Sequence, residues 1–182
     1  MSFIGDVGRF FSSNGDLLLN ETGGHVLLSA SAIVLALVIG LPIGVLVGHL
    51  HRWSFLAING GNVLRALPTL AVVAIGIGFY GLGFVNILVA LVILALPLIL
   101  TNAYVAVEEV DRGMVEAARG MGLTGWQIVL RVELPNAIPL IMAGLRTAWV
   151  YVVATAYLAG FAGSGGTLGD IITNQSSYRL SG

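Results

Sequence analysis

Long stretches of this chain carry no ionised side chain, and one short stretch is crowded with them. Nothing is charged from Ala66 to Val107, and Arg146 stands alone between Pro135 and Asp170. Between these lie Glu108, Glu109, Asp111, Arg112, Glu116, Arg119, Arg131 and Glu133, nearly half of the chain's 8 basic and 9 acidic residues. Residues 26–47 form a first uncharged run, comparable to the ~20 residues that cross a ~30 Å hydrocarbon core as a helix. Gly40, Pro42 and Gly44 within it predict a bend rather than a break, because membrane helices tolerate such residues where neighbours satisfy the backbone. Residues 53–65 contain Asn59, Gly60, Gly61, Asn62 and Arg65 and read as an interfacial lead-in to a short span over 66–82. Residues 84–107, with Pro97, and 137–161, with Arg146, supply the third and fourth spans. The expected fold is all-α: a polytopic transmembrane helical bundle forming one domain over 1–182, with residues 108–135 as its one large aqueous loop.

Arginine placement orients this arrangement. Arg52, beside His49 and His51, follows the first span, and Arg112, Arg119 and Arg131 sit on the loop; Arg9 and Arg179 fall on the other side. The excess predicts that the loop is cytoplasmic and that the N-terminus and the tail from residue 163 lie outside. The polar residues before 26, and the lack of a small-residue cleavage site after 47, argue against a cleavable signal peptide.

Composition narrows the function. Hydrophobic residues make up 57% and charged residues 9%, where a soluble domain carries roughly 25% charged residues, so a multi-pass membrane protein is expected. A net charge of −1 offers no basic surface for nucleic acid. The absence of cysteine removes disulfides, thiolate metal sites and thiol nucleophiles. All basic residues are arginine, so no Walker A lysine exists to reach a nucleotide's phosphates, and any ATP that drives this protein is expected on another chain.

The loop carries its own folding signals. Asp111 is placed to cap a helix starting at Arg112, with Glu116 early and Arg119 late, as the helix dipole favours. Gly122 suits a left-handed turn after that helix. Thr124 with Gln127 fits a capping box for a second helix through Arg131, which Pro135 is expected to stop. A helix, a glycine turn and a helix are therefore predicted at the membrane surface.

Glu116, Ala117 and Ala118, Gly122 at its fixed distance, then Val132 and Leu134-Pro135, resemble the EAA motif of ABC importer permeases, with Val132 where isoleucine is usual. That resemblance implies a type I importer permease of the MetI-like fold, with a further span expected beyond residue 182. It implies that Glu116, Ala117, Ala118, Arg119, Gly120, Gly122, Leu134 and Pro135 couple to an ATP-binding cassette subunit, the small alanines packing into that partner. ATP and magnesium would sit on the partner, with no cofactor on this chain and no catalysis by it. A second permease copy or homologue, an extracytoplasmic substrate-binding protein and membrane lipid complete the expected partners, in the inner or plasma membrane of a prokaryote.

Leu67-Pro68-Thr69-Leu70-Ala71, Leu96-Pro97 followed by Thr101-Asn102-Ala103-Tyr104, Gly144-Leu145-Arg146-Thr147-Ala148, and the run from Gly163 to Gly169 are similar to stretches of the permeases for glycine betaine, choline and carnitine. The departures are Arg65 in place of a frequent glutamine, Leu100 in place of an arginine, and Thr167 added to the glycine run. An amino-acid importer of the methionine type is the alternative. A secondary transporter would need acids inside its spans, and none falls within the four spans assigned above; a scaffold that only recruits an ATPase is a third reading.

Arg65, Pro68, Thr69, Asn102, Tyr104 and Arg146 are the candidates for lining the translocation pathway, with Asn86, Thr101, Tyr151 and Tyr157 as further candidates. Arg65 reads equally as interface anchor or gate, and Arg146 as a structural partner of Glu133 or of loop carbonyls. Aromatic rings in spans more commonly pack or form an interfacial belt than cage a cation. His49 and His51 project differently from a helix and make a poor metal pair. The glycine run from 163 reads as a tight outer turn and not as a phosphate cradle, since no strand precedes it.

Overall fold

A computed structural model describes residues 3–51, 54–163 and 166–173; Arg52, Ser164, Gly165 and Arg179, used in the reasoning above, lie outside them. The described residues are helical nearly throughout: α1 (Phe3–Ser13), α2 (Gly15–Leu50), α3 (Ser54–Ala66), α4 (Thr69–Tyr80), α5 (Phe84–Glu108), α6 (Arg112–Gly120), α7 (Gly125–Ile128), a π-helical segment (Val129–Glu133), α8 (Leu134–Thr155), a 3-10 segment (Ala156–Ala162) and α9 (Leu168–Thr173). Three stretches are long and apolar enough to cross a membrane: Gly15–Leu50, Phe84–Glu108 and Gly125–Ala162. The α3–α4 pair makes a fourth if taken as one broken span. The break falls at Leu67-Pro68, because Pro68 lacks an N–H and disfavours a helical conformation at the residue before it.

Two boundaries differ from the sequence reading. α2 starts at Gly15 rather than near residue 26, and it includes Glu21, an acid left outside the first span above, which is buried. Asn14 separates α1 from α2 and turns its amide onto the Phe10 carbonyl at 3.0 Å. At the other boundary Pro135 does not stop a helix. It sits in the first turn of α8, where a missing N–H costs little, and the π segment immediately before it supplies a wider turn.

Packing divides the chain into two compact units, drawn from residues 1–32, 69–91 and 152–182, and from 33–68 and 92–151. In the first, Leu28, Val73, Ile87, Val152, Ala156 and Ala159 are buried. His25 Nε2 donates to the Val153 carbonyl at 3.1 Å, Asn86 Nδ2 to the Val73 carbonyl at 3.1 Å, and the Gly83 N–H to the Ala162 carbonyl at 3.0 Å. The turn before α9 is held by Asp170, whose Oδ2 accepts from the Thr167 N–H at 2.9 Å and from its hydroxyl at 3.2 Å. α9 lies directly on the 3-10 segment: a Cβ on Gly169 would collide with the Tyr157 carbonyl.

In the second unit the C-terminal half of α2 packs on α5 through Gly40, Gly44 and Gly48. A Cβ on Gly44 would sit 2.6 Å from the Leu100 carbonyl and 2.7 Å from the Ala103 Cβ, and one on Gly48 would sit 2.8 Å from the Val107 Cβ. The three glycines, one turn apart, therefore let two backbones meet, the small-residue packing by which helices associate in lipid. Their role is contact more than bending. Large apolar side chains such as Val38, Ile75, Ile138 and Val150 remain exposed, as a bilayer permits.

A valine at Gly44 must push α2 away from α5. Gly44→Val is expected to cost about 1–3 kcal/mol and to lower the unfolding midpoint of the detergent-solubilised protein by several degrees, whereas Gly60→Ala, at a position open to space, leaves it unchanged.

Candidate coupling surface and translocation residues

The loop is built as its local signals predict. Asp111 Oδ1 accepts from the N–H groups of Gly113 at 2.6 Å and Met114 at 3.2 Å, capping α6. Gly122 follows with φ +82, in the region that costs any residue with a Cβ. The N–H of Thr124 donates to Gln127 Oε1 at 2.9 Å, so α7 starts with its capping box. Both turns are local chemistry.

Burial sorts the motif residues. Glu116, Ala117, Arg119, Gly120 and Gly122 are exposed on α6 and its turn, whereas Ala118 is 1% exposed and faces into the chain. Ala117 is therefore the alanine offered outward. Leu134 is half-buried and Pro135 exposed at the start of α8. Around them stand residues the sequence reading passed over: Met121 is 74% exposed, Trp126 69%, and Met114 and Leu130 are exposed too. For Met114 and Met121 the signal was available, since they precede the span-length stretch Gly125–Ala162 and sit among charged residues, and exposed apolar anchors are typical of interface centres.

Two hollows flank this segment. Arg112, Glu116 and Arg119 of α6 line a polar pocket of about 360 Å³ together with His51 and Glu133. An apolar groove of about 460 Å³ runs between α2 and the α7–α8 stretch, lined by Leu41, Val45, Leu46, Trp126, Val129 and Leu130 among others. Glu133, at the end of the π segment, is 2% exposed. Its partner is His49 in the last turn of α2, whose Nδ1 lies 2.8 and 3.0 Å from the two carboxylate oxygens. The carboxylate oxygens accept from the Nδ1–H. Arg146 does not take Glu133 as a partner. Removing the donor from a buried acceptor typically costs about 1–3 kcal/mol.

The pathway candidates are spread among different surroundings. Arg65, exposed at the end of α3, donates from Nη2 to the Pro97 carbonyl of α5 at 3.1 Å. Asn102 turns its Nδ2 back to the Leu98 carbonyl at 2.7 Å and packs against Gly144 of α8. Tyr104 is 3% exposed, with its backbone against Gly44 and Gly48. Arg146 is exposed on α8, Pro68 is exposed and Thr69 half-buried at the α3–α4 break, and the more distant candidates Tyr151 and Tyr157 are exposed while Asn86 is buried. Thr101 is half-buried, its hydroxyl 3.1 Å from where a Cβ on Gly61 would stand. Asn102 thus meets α8 at Gly144, while Arg146 leaves the same helix on an exposed face.

Comparison with known proteins adds an independent line. The chain is 42% identical over 165 residues to a carnitine transport permease protein of Listeria monocytogenes, covering 91% of this chain and 75% of the relative. It is 39% identical over 163 residues to a glycine betaine/carnitine/choline transport system permease protein of Bacillus subtilis, covering 90% and 75%. In structure it resembles a methionine ABC transporter solved in an inward-facing conformation, with a TM-score of 0.73, 27% identity, and coverage of 91% of this chain and 82% of that one. Residues 14–181 match the family described as the inner membrane component of binding-protein-dependent transport systems. With its apolar spans, its capped polar loop and this match over nearly its whole length, the chain belongs to that family of ABC transporter permeases.

Proposed function

We propose that this chain is the permease subunit of an ATP-driven importer for quaternary ammonium osmoprotectants such as glycine betaine, choline and carnitine. The observation that carries the reading is the exposed EAA segment on a capped helix, in a chain whose relatives are permeases of that named specificity. One ATP-binding subunit docks against Glu116, Ala117, Arg119 and Gly120, with Met121 and Trp126 as apolar anchors. A second ATP-binding subunit, a second permease and an outer binding protein complete the complex. Nucleotide-driven closure of the ATPases moves the loop, α8 follows it, and the pathway past Arg65, Pro68, Thr69, Asn102, Tyr104 and Arg146 changes the side it opens to. Residues 1–182 act here as a single transmembrane domain with 108–135 as its coupling loop. Likeness in structure to a methionine transporter keeps an amino-acid substrate as the second reading.

Uptake of labelled betaine, choline, carnitine and methionine into vesicles holding the full complex decides between the two. At least one ammonium solute is expected to be carried; transport of methionine alone overturns the substrate assignment and leaves the importer in place.

Docking is tested by cysteine crosslinking, clean because the chain has no cysteine of its own. A cysteine at exposed Ala117 is expected to crosslink to the ATPase, and one at buried Ala118 to react far less. Absence of any crosslink from Ala117 in every nucleotide state of an intact complex rules out docking here.

Gly122→Val forces a Cβ into positive φ, at about 1 kcal/mol or more. It is expected to lower solute carried per ATP hydrolysed while membrane insertion is unchanged. Wild-type uptake by this variant excludes a coupling role for the turn.

A further inference from the structure

The loop is covalently continuous with α8 through the π segment, but nothing covalent ties it closely to α2. Between α2 and α7 lies the apolar groove of about 460 Å³, and side chains separated by open space transmit little, since van der Waals contact is lost within an ångström of separation. Beside the apolar packing of Val45 on Val107 and Ala137, the polar link across this gap is His49. Its Nδ1 grips the Glu133 carboxylate at 2.8 and 3.0 Å, and its Nε2 lies 3.3 Å from where a Cβ on Gly125 would stand. One imidazole thus touches the first residue of α7 and the last of the π segment. Glu133 is placed for this by the helix itself: Val129, Glu133 and Ala137 recur every four residues and all are buried. The other ionisable groups on the same pocket are His51, Arg112, Glu116 and Arg119, all exposed; none of them belongs to α2.

We propose that His49 and Glu133 form a clasp that makes the cytoplasmic end of α2 move with the coupling loop, so that a push on α6 reaches the first span as well as α8. They are positioning residues that touch neither nucleotide nor solute. The clasp stays closed through the transport cycle, because opening it would leave a nearly fully buried carboxylate without its partner. The inference rests on the coupling-loop reading above, while being separable from it by experiment.

The test measures solute carried per ATP hydrolysed by the full complex in vesicles, using whichever solute the wild-type complex carries, so that an error in substrate does not bear on the result. His49→Ala is expected to lower that ratio about fivefold to tenfold, within the range by which residues between two sites modulate coupling. His49→Arg, which keeps an N–H donor facing Glu133, is expected to recover most of it. Near-wild-type coupling in His49→Ala, or equal loss in His49→Arg and His49→Ala, overturns the clasp. A second variant does not depend on the hydrogen bond: His49→Cys with Glu133→Cys, joined by a short thiol crosslinker, is expected to regain coupling that the unjoined variant lacks. A joined complex that hydrolyses ATP but stays uncoupled shows that the clasp must open, and overturns the proposal too. Failure of docking through Ala117 with the His49 phenotypes intact rejects the loop reading alone.

Discussion

Two backbones brought into contact by three glycines hold α2 against α5. In lipid the tails outside are as apolar as the side chains inside, so burying leucine gains little and helices adhere through close packing and hydrogen bonds. Gly40, Gly44 and Gly48 remove the side chains that would keep α2 from α5. The consequences spread from there. α5 is held where Asn102 meets Gly144 of α8, Pro97 offers its carbonyl to Arg65, and His49, one residue past the last of the glycines, is delivered to Glu133.

The same economy explains why nearly half of the chain's charge is gathered in one loop. A bilayer penalises each ionised group, so such groups collect where water is available. Within the loop the charges do different things. Asp111 builds a helix end, Glu133 is buried in a hydrogen bond with His49, and Glu116 and Arg119 stay exposed around a shared pocket. Reading the island as one surface would miss that division.

What the sequence made legible was short-range. The Asp111 cap, the positive φ of Gly122 and the capping box at Thr124 each depend on residues within a few positions, and each is present. The apolar spans were visible because a bilayer demands length and lack of charge. What stayed hidden depends on distant partners or on unusual helical geometry. His49 and Glu133 are 84 positions apart, the inward turn of Ala118 follows from what packs over it, and the passage of the helix through Pro135 needs a π turn that no residue type announces. Gly40, Pro42 and Gly44 point to a bend when α2 is read alone, whereas the contact that Gly40, Gly44 and Gly48 make depends on a counterpart on α5 that α2 does not reveal.

The π segment has a geometric consequence of its own. An α-helix turns its side chains by about 100° per residue, and a π turn takes up one more residue than an α turn. Between the loop and α8 this acts as a one-residue gear tooth. The azimuth at which α6 and α7 present themselves, relative to the face of α8 that carries Gly144 and Ala148, is set by counting residues from 129 to 133 and not by which side chains those residues bear. Side chains on the loop can therefore vary to suit a partner while its bearing stays fixed, and a single inserted or deleted residue there would swing the whole presenting surface around the helix axis even if every contact residue were kept.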